Sequence, residues 1–219
     1  MLKKWCDIIW IYVMFAIGGV TAVFLVFRWH EWSAAMRLCA VNAVILPFHV
    51  LEEWILPGGF HYAYNMNQKV FDEKLLHQYP MSKLTDMITN FLGELAFTAF
   101  VFFHTGQAIA FGVMIFDIME FFAHTMLGVK MYRHYKEKGK KSIYAPGTLT
   151  AYFVQLPSGI AMIIWYIKNG IDVTDVLIGM FVVIVAVAGT IIIPEKVVSS
   201  KDSSYGFKDA GYFKKFGAE

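Results

Sequence analysis

The sequence predicts an all-α fold, a polytopic membrane helix bundle of about six transmembrane helices with both termini cytoplasmic. Three observations carry this expectation. Of the 219 residues, 58% are hydrophobic and only 16% are charged, with a mean hydropathy of +0.52, a balance that soluble domains rarely show. Apolar runs of about 20 residues, the length of one bilayer crossing, recur along the chain. The basic residues avoid alternate loops: 16 of the 19 Lys and Arg side chains fall in segments on the same side as the N-terminus, which the positive-inside rule makes cytoplasmic.

The first helix is expected near 6–28. Lys3, Lys4 and the apolar stretch after them have the look of a signal peptide, but the run continues to Phe27 without a small-residue cleavage site, so it reads as a retained anchor. The second helix, near 34–56, stops at Pro57-Gly58-Gly59, and the connection to Lys83 carries His61, His77 and mixed charges that keep it outside hydrocarbon. Helices near 84–103, 107–130, 147–167 and 174–194 follow, the fifth opening at Pro146-Gly147, since Pro suits a helix's first turn. Residues 1–195 thus form the bundle. Residues 196–219 form a cytoplasmic polar and aromatic tail, whose simplest reading is a disordered or surface-lying end. No internal repeat is evident. Cys6 and Cys39 form no CxxC pair or disulfide framework, and the dispersed basic residues, at net charge +2, argue against a nucleic-acid partner.

Ionisable and polar side chains interrupt these apolar helices. A charge at the bilayer centre costs roughly 3 kcal/mol even on lenient insertion scales, so such residues mark candidate functional sites. At 1.5 Å per residue, depths below the cytoplasmic boundary come to about 5 Å for Glu53, 6 Å for Glu52, 10 Å for His49, 9 Å for Asn90, 15 Å for Glu94, 9 Å for His124, 15 Å for Glu120, 20 Å for Asp117 and 12 Å for Gln155. Independent helices therefore place their polar groups in one layer. Within each helix the spacing keeps them on one face: His49, Glu52 and Glu53 at i, i+3 and i+4; Asn90 and Glu94 at i and i+4; Asp117, Glu120 and His124 at i, i+3 and i+7. His30, His61, His77, His104 and His134 fall at helix ends or in loops, with His61 close enough to Glu53 in sequence to fold back.

Two imidazoles and several carboxylates suit a divalent metal such as zinc, iron or manganese. The inventory also matches carboxylate-bridged dinuclear sites in helix bundles, although neither Glu-x-x-His nor His-Glu-x-x-His is present. The same groups serve equally in metal-free proton transfer, as in sterol-isomerase-like proteins, or in a relay for a transported ion or hydrophobic ligand.

The run His49-Val50-Leu51-Glu52-Glu53 resembles the signature of the HXXEE family of integral membrane proteins. Asn90, His124, Pro146 and Gly147 match the family's later positions, while Glu94, Asp117 and Glu120 are added from depth and spacing. The resemblance spans about residues 40–160 and implies a metal-binding or enzymatic role.

These readings converge on a membrane enzyme acting on a lipidic or amphiphilic substrate. Its expected metal ligands are His49, Glu52, Glu53, Glu120 and His124. Glu52, Glu53, Glu94, Asp117 and Asn90 are the catalytic candidates, and Gln155 a substrate contact. Hydrolysis by metal-activated water is the simplest chemistry, with di-iron oxidation, a metal-free isomerase or hydro-lyase, and a ligand-binding or transport protein as alternatives.

Overall fold

The computed structural model describes residues 2–70, 72–103 and 106–219, and among them every regular element is helical. His104 lies outside the described residues. The chain runs through α1 (Leu2–Phe27), α2 (Ala34–Trp54), the short α3 (Phe60–Asn67), α4 (Lys83–Phe102), α5 (Gln107–Lys138), α6 (Thr148–Asn169) and α7 (Val173–Val198). Five of these, all but α3 and α4, are long and apolar enough to cross a membrane, consistent with a membrane protein. Helix α4, expected as a further crossing, has the length at 20 residues, but Lys83, Asp86, Asn90 and Glu94 interrupt its apolar character.

Local chemistry sets the boundaries. Ser33 caps α2 by accepting from the Met36 amide at 3.2 Å. Ser82 and Thr85 form a reciprocal capping box at the start of α4. Helix α1 packs on α2, α2 on α4, and α5 on both α6 and α7. Their shared core includes Trp10, Met14, Cys39, Ala43, Val50 and Val101. Large apolar side chains such as Val26, Ile167, Val173 and Leu177 stay exposed on the bundle's outside, where hydrocarbon rather than water is the fitting surround.

A second core closes one end of the bundle, hereafter the site end. Tyr62 of α3, Leu76, Met131 and Tyr135 of α5 and Phe213 pack together there. The C-terminal segment is thus a docked cap, not the disordered or surface-lying end its composition suggests. The Tyr212 amide donates to Gly58 O at 2.9 Å, and the Phe207 amide to His77 O at 2.8 Å. Gly59 (φ +101) and Gly211 (φ +53) let two backbones touch, since a Cβ on Gly59 would stand 2.4 Å from Ala210 O. Phe213 is fully buried, which stabilises the docked segment by roughly 2–3 kcal/mol. Lys140, itself buried, donates to Tyr144 O and lies over the Tyr212 ring.

Candidate metal centre

The last two turns of α2 face the middle of α5. Because residues four apart share a helix face, His49 and Glu53 point together from α2, and Glu120 and His124 point together from α5. Their reactive atoms converge. Glu53 Oε1 lies 3.3 Å from His49 Nε2 and 3.4 Å from His124 Nε2; Glu120 Oε2 lies 3.7 Å and 3.4 Å from the same two nitrogens. Ligand atoms of His49, Glu120 and His124 all sit within 4.8 Å of one another, close enough to hold a metal ion. The two imidazole rings stand perpendicular, with centroids 5.0 Å apart.

Surrounding residues set which nitrogen faces in. His49 Nδ1 is 2.7 Å from Thr150 Oγ1, whose own proton is directed to Glu52 Oε2 at 2.9 Å. The threonine oxygen therefore accepts from Nδ1–H, leaving Nε2 of a neutral His49 with its lone pair toward Glu53 and Glu120. A lone pair facing carboxylate oxygens is repulsive unless a proton on Nε2 or a metal cation lies between them. The separations suit a metal: four-coordinate bonds of about 2.0–2.2 Å place ligand atoms roughly 3.3–3.6 Å apart, close to the N···O distances here. The donor set therefore fits a divalent ion of the zinc, iron or manganese type.

Glu52 is engaged elsewhere. It follows His49 by three positions and precedes Glu53, so its side chain is rotated about 100° from that of Glu53 and reaches α6 instead. There its carboxylate accepts from the Leu149 amide (3.0 Å), the Thr150 amide (3.1 Å) and the Thr150 hydroxyl (2.9 Å), capping the helix start where unpaired N–H groups favour an anion. That cap also fixes the turn beneath His124. Gly147 has φ +91, and a Cβ there would fall 2.1 Å from His124 Cε1. The Pro146-Gly147 pair thus gives both a helix start and a seat for the second imidazole. Phe60 of α3 lies over the same ring at 5.2 Å.

A cavity of about 500 Å³ opens from the centre, lined by His49, Glu53, Glu120 and His124 together with apolar side chains of α4, α5 and α7. Glu120 is the most accessible of the four, with 23% of its side chain exposed against 2–5% for the others. Asn90 also lines the cavity, and its amide holds the Asp86 carboxylate at 2.9 Å while Trp54 Nε1 donates to the other oxygen. Sequence reasoning passed over Asp86, Trp54 and Thr150. The only advance signal was an acid four residues before Asn90.

The remaining expected residues lie apart from the convergence. Asp117 packs against α6 at Gly159 and accepts from Asn42 Nδ2 at 3.3 Å. Among the described residues Glu94, fully buried, has no hydrogen-bond partner, and it does not line the cavity. Gln155, in a π-helical turn of α6, is buried with its amide likewise unpartnered among the described residues, again outside the cavity lining. His61 does not fold back on the centre. It stacks on Phe207 at 3.7 Å and lies 3.4 Å from His77, and burial, with His77 beside it, holds its imidazole well below the ordinary range. His30 and His134 are exposed on the surface.

Fold and site together define an all-helical protein with membrane-type helices and a buried His/Glu group at the meeting of α2, α5 and α6. The family described as proteins of unknown function with an HXXEE motif matches residues 40–162, more than half the chain, and the chain belongs to that family. No curated protein and no solved structure matches it.

Proposed function

We propose that the chain is a metal-dependent membrane hydrolase acting on an amphiphilic ester or amide. The observation that carries this reading is the convergence of two imidazole nitrogens and two carboxylate oxygens at the end of a largely apolar cavity. His49, Glu53, Glu120 and His124 would hold a divalent ion, which supplies Lewis acidity and an acidified water. Glu120, exposed toward the cavity, marks where substrate meets the centre. Asp86 has no place in the ligand set, and Trp54 and Asn90 aim its carboxylate from the cavity wall. It is therefore the proposed general base. Hydrolysis delivers the water's hydroxyl to the carbonyl carbon and its proton to the departing oxygen or nitrogen. The lysine distribution supports both termini, and with them the site end, on the cytoplasmic side.

The test is turnover in nanodiscs. Metal-loaded protein incubated with single-chain ester and amide lipids should release free acid, detected by mass spectrometry, and both chelation and Asp86→Asn should suppress that release. Conversion that survives chelation would overturn the metal reading in favour of proton-transfer catalysis by the same side chains.

A further inference from the structure

The shape and chemistry of the cavity say more about what enters it. Helix α4 packs along α2 and meets only the 188–198 end of α7, whereas the Val173–Val187 stretch lies against α5. Helices α4 and α5 make few close backbone approaches and meet through the rings of Phe97 and Phe116, whose centroids lie 5.5 Å apart. A cleft therefore runs between α4 and α7, with that ring pair at its base. At the site end it is closed by the Thr89 hydroxyl of α4, which donates to Thr190 O of α7 at 2.6 Å. Away from that bond its walls are apolar: Phe97 and Phe100 of α4, Val113 and Phe116 of α5, Val182 and Ala186 of α7. Helices α5 and α7 are both of membrane-crossing character, so the cleft faces the hydrocarbon and its closed end holds the polar centre.

We infer that this cleft is a lateral portal for one single-chain amphiphile with an uncharged head, its chain lying between α4 and α7 and its head at the His/Glu centre. This deepens the proposed hydrolase and rests on that reading for the position of the reacting group. Volume sets the chain number: at about 30 Å³ for a water-sized group, 500 Å³ accommodates on the order of 17 such groups. That is one chain with a small head, and far short of a two-chain phospholipid. Charge sets the head. Of the four carboxylates that line the cavity, Glu53 and Glu120 would balance the bound divalent ion, which leaves Asp86 and Glu195 beside Lys130, the one Lys or Arg of the lining among the described residues, which donates to Asn67. An anionic head would meet an excess of carboxylates, whereas hydroxyl or amide groups find acceptors.

The test uses the full chain in phosphatidylcholine nanodiscs with a monoacylglycerol carrying a diazirine in its chain, and peptide mapping of the cross-links. Labelling is expected on peptides containing Phe97 and Val182. Excess monoacylglycerol should compete at least ten times better than the matched fatty acid. Ala186→Trp, at an exposed position on the cleft wall, should cut labelling at least tenfold, and Val182→Phe provides a second block if the first variant misfolds. Uniform labelling of the outer apolar surface, insensitivity to both blocks, or equal competition by fatty acid would overturn the portal. Metal content measured on the same samples reports separately on the hydrolase reading: a metal-free protein with cleft labelling would remove the hydrolase and leave the portal standing.

Discussion

Two buried polar clusters join α2 to α5, and they are built one heptad apart on both helices. His49 and His124 mark one level; Asn42 and Asp117 mark the other, seven residues away on each strand of the pair, or about 10 Å along the axes. Both levels are buried, with the four residues at 0–4% exposure. They differ in what faces what. At the first level two imidazoles meet two carboxylates, and four lone-pair donors share one space. At the second an amide N–H donates to a carboxylate at 3.3 Å, a neutral donor answering an acceptor with no cation required. Asn42 Oδ1 has no hydrogen-bond partner among the described residues, and Ser158 lies beside the Asp117 carboxylate as a second donor. Burial and helical spacing bring polar groups together at both levels. Only the chemical identity of the facing pairs makes one of them a candidate metal centre.

The strongest challenge to this contrast is Gly147→Ala. Its methyl would overlap the His124 ring and occupy a left-handed backbone conformation that costs roughly 1–2 kcal/mol. Loss of bound metal by elemental analysis is expected, together with a lower melting temperature; retained metal would mean that His124 is not seated against Gly147. Thr150→Val should act next most strongly. Removing the acceptor of His49 Nδ1–H frees the imidazole orientation, so metal affinity should fall about 10–100-fold in a competition titration with a chelating dye, and Thr150→Ser should restore it. Unchanged affinity would break the link between the Glu52–Thr150 pair and the centre. The smallest effect on metal is expected from Asn42→Ala. It should leave metal affinity within twofold of the parent, while removing one of the two donors to the buried Asp117 carboxylate, the other being Ser158, at a cost of about 1–3 kcal/mol in unfolding free energy.

The contrast also shows how far side-chain spacing carries. Helical periodicity placed His49 with Glu53 and Glu120 with His124, and depth matched His49 to His124 across two helices. Helix boundaries followed from apolar runs and from the Pro57-Gly58-Gly59 and Pro146-Gly147 breaks, while the Ser33 and Ser82 caps emerge only in the structure. Spacing misled where a side chain serves a distant partner. Glu52 sits three residues from His49, but its hydrogen bonds go to residues 149 and 150, a relation set by how α6 crosses α2. Asp117 shares a stripe with Glu120 and His124, yet its axial offset of seven residues from His124 is enough to pair it with Asn42 instead of the centre. Asp86 looks like an ordinary acid in the first turn of a helix, and only the fold brings it to the cavity. The tail misled for the same reason, because its aromatic residues find their core against α3, α5 and the Gly58-Gly59 turn, none of them near in sequence.

The central claim is best tested by elemental analysis of tag-free, detergent-purified protein beside His49→Ala/His124→Ala and Asp117→Asn. About one divalent ion per chain is expected in the parent and in Asp117→Asn, and none in the double histidine variant. A parent that stays metal-free after reconstitution with zinc, iron and manganese, or a double variant that keeps its metal, would contradict the claim.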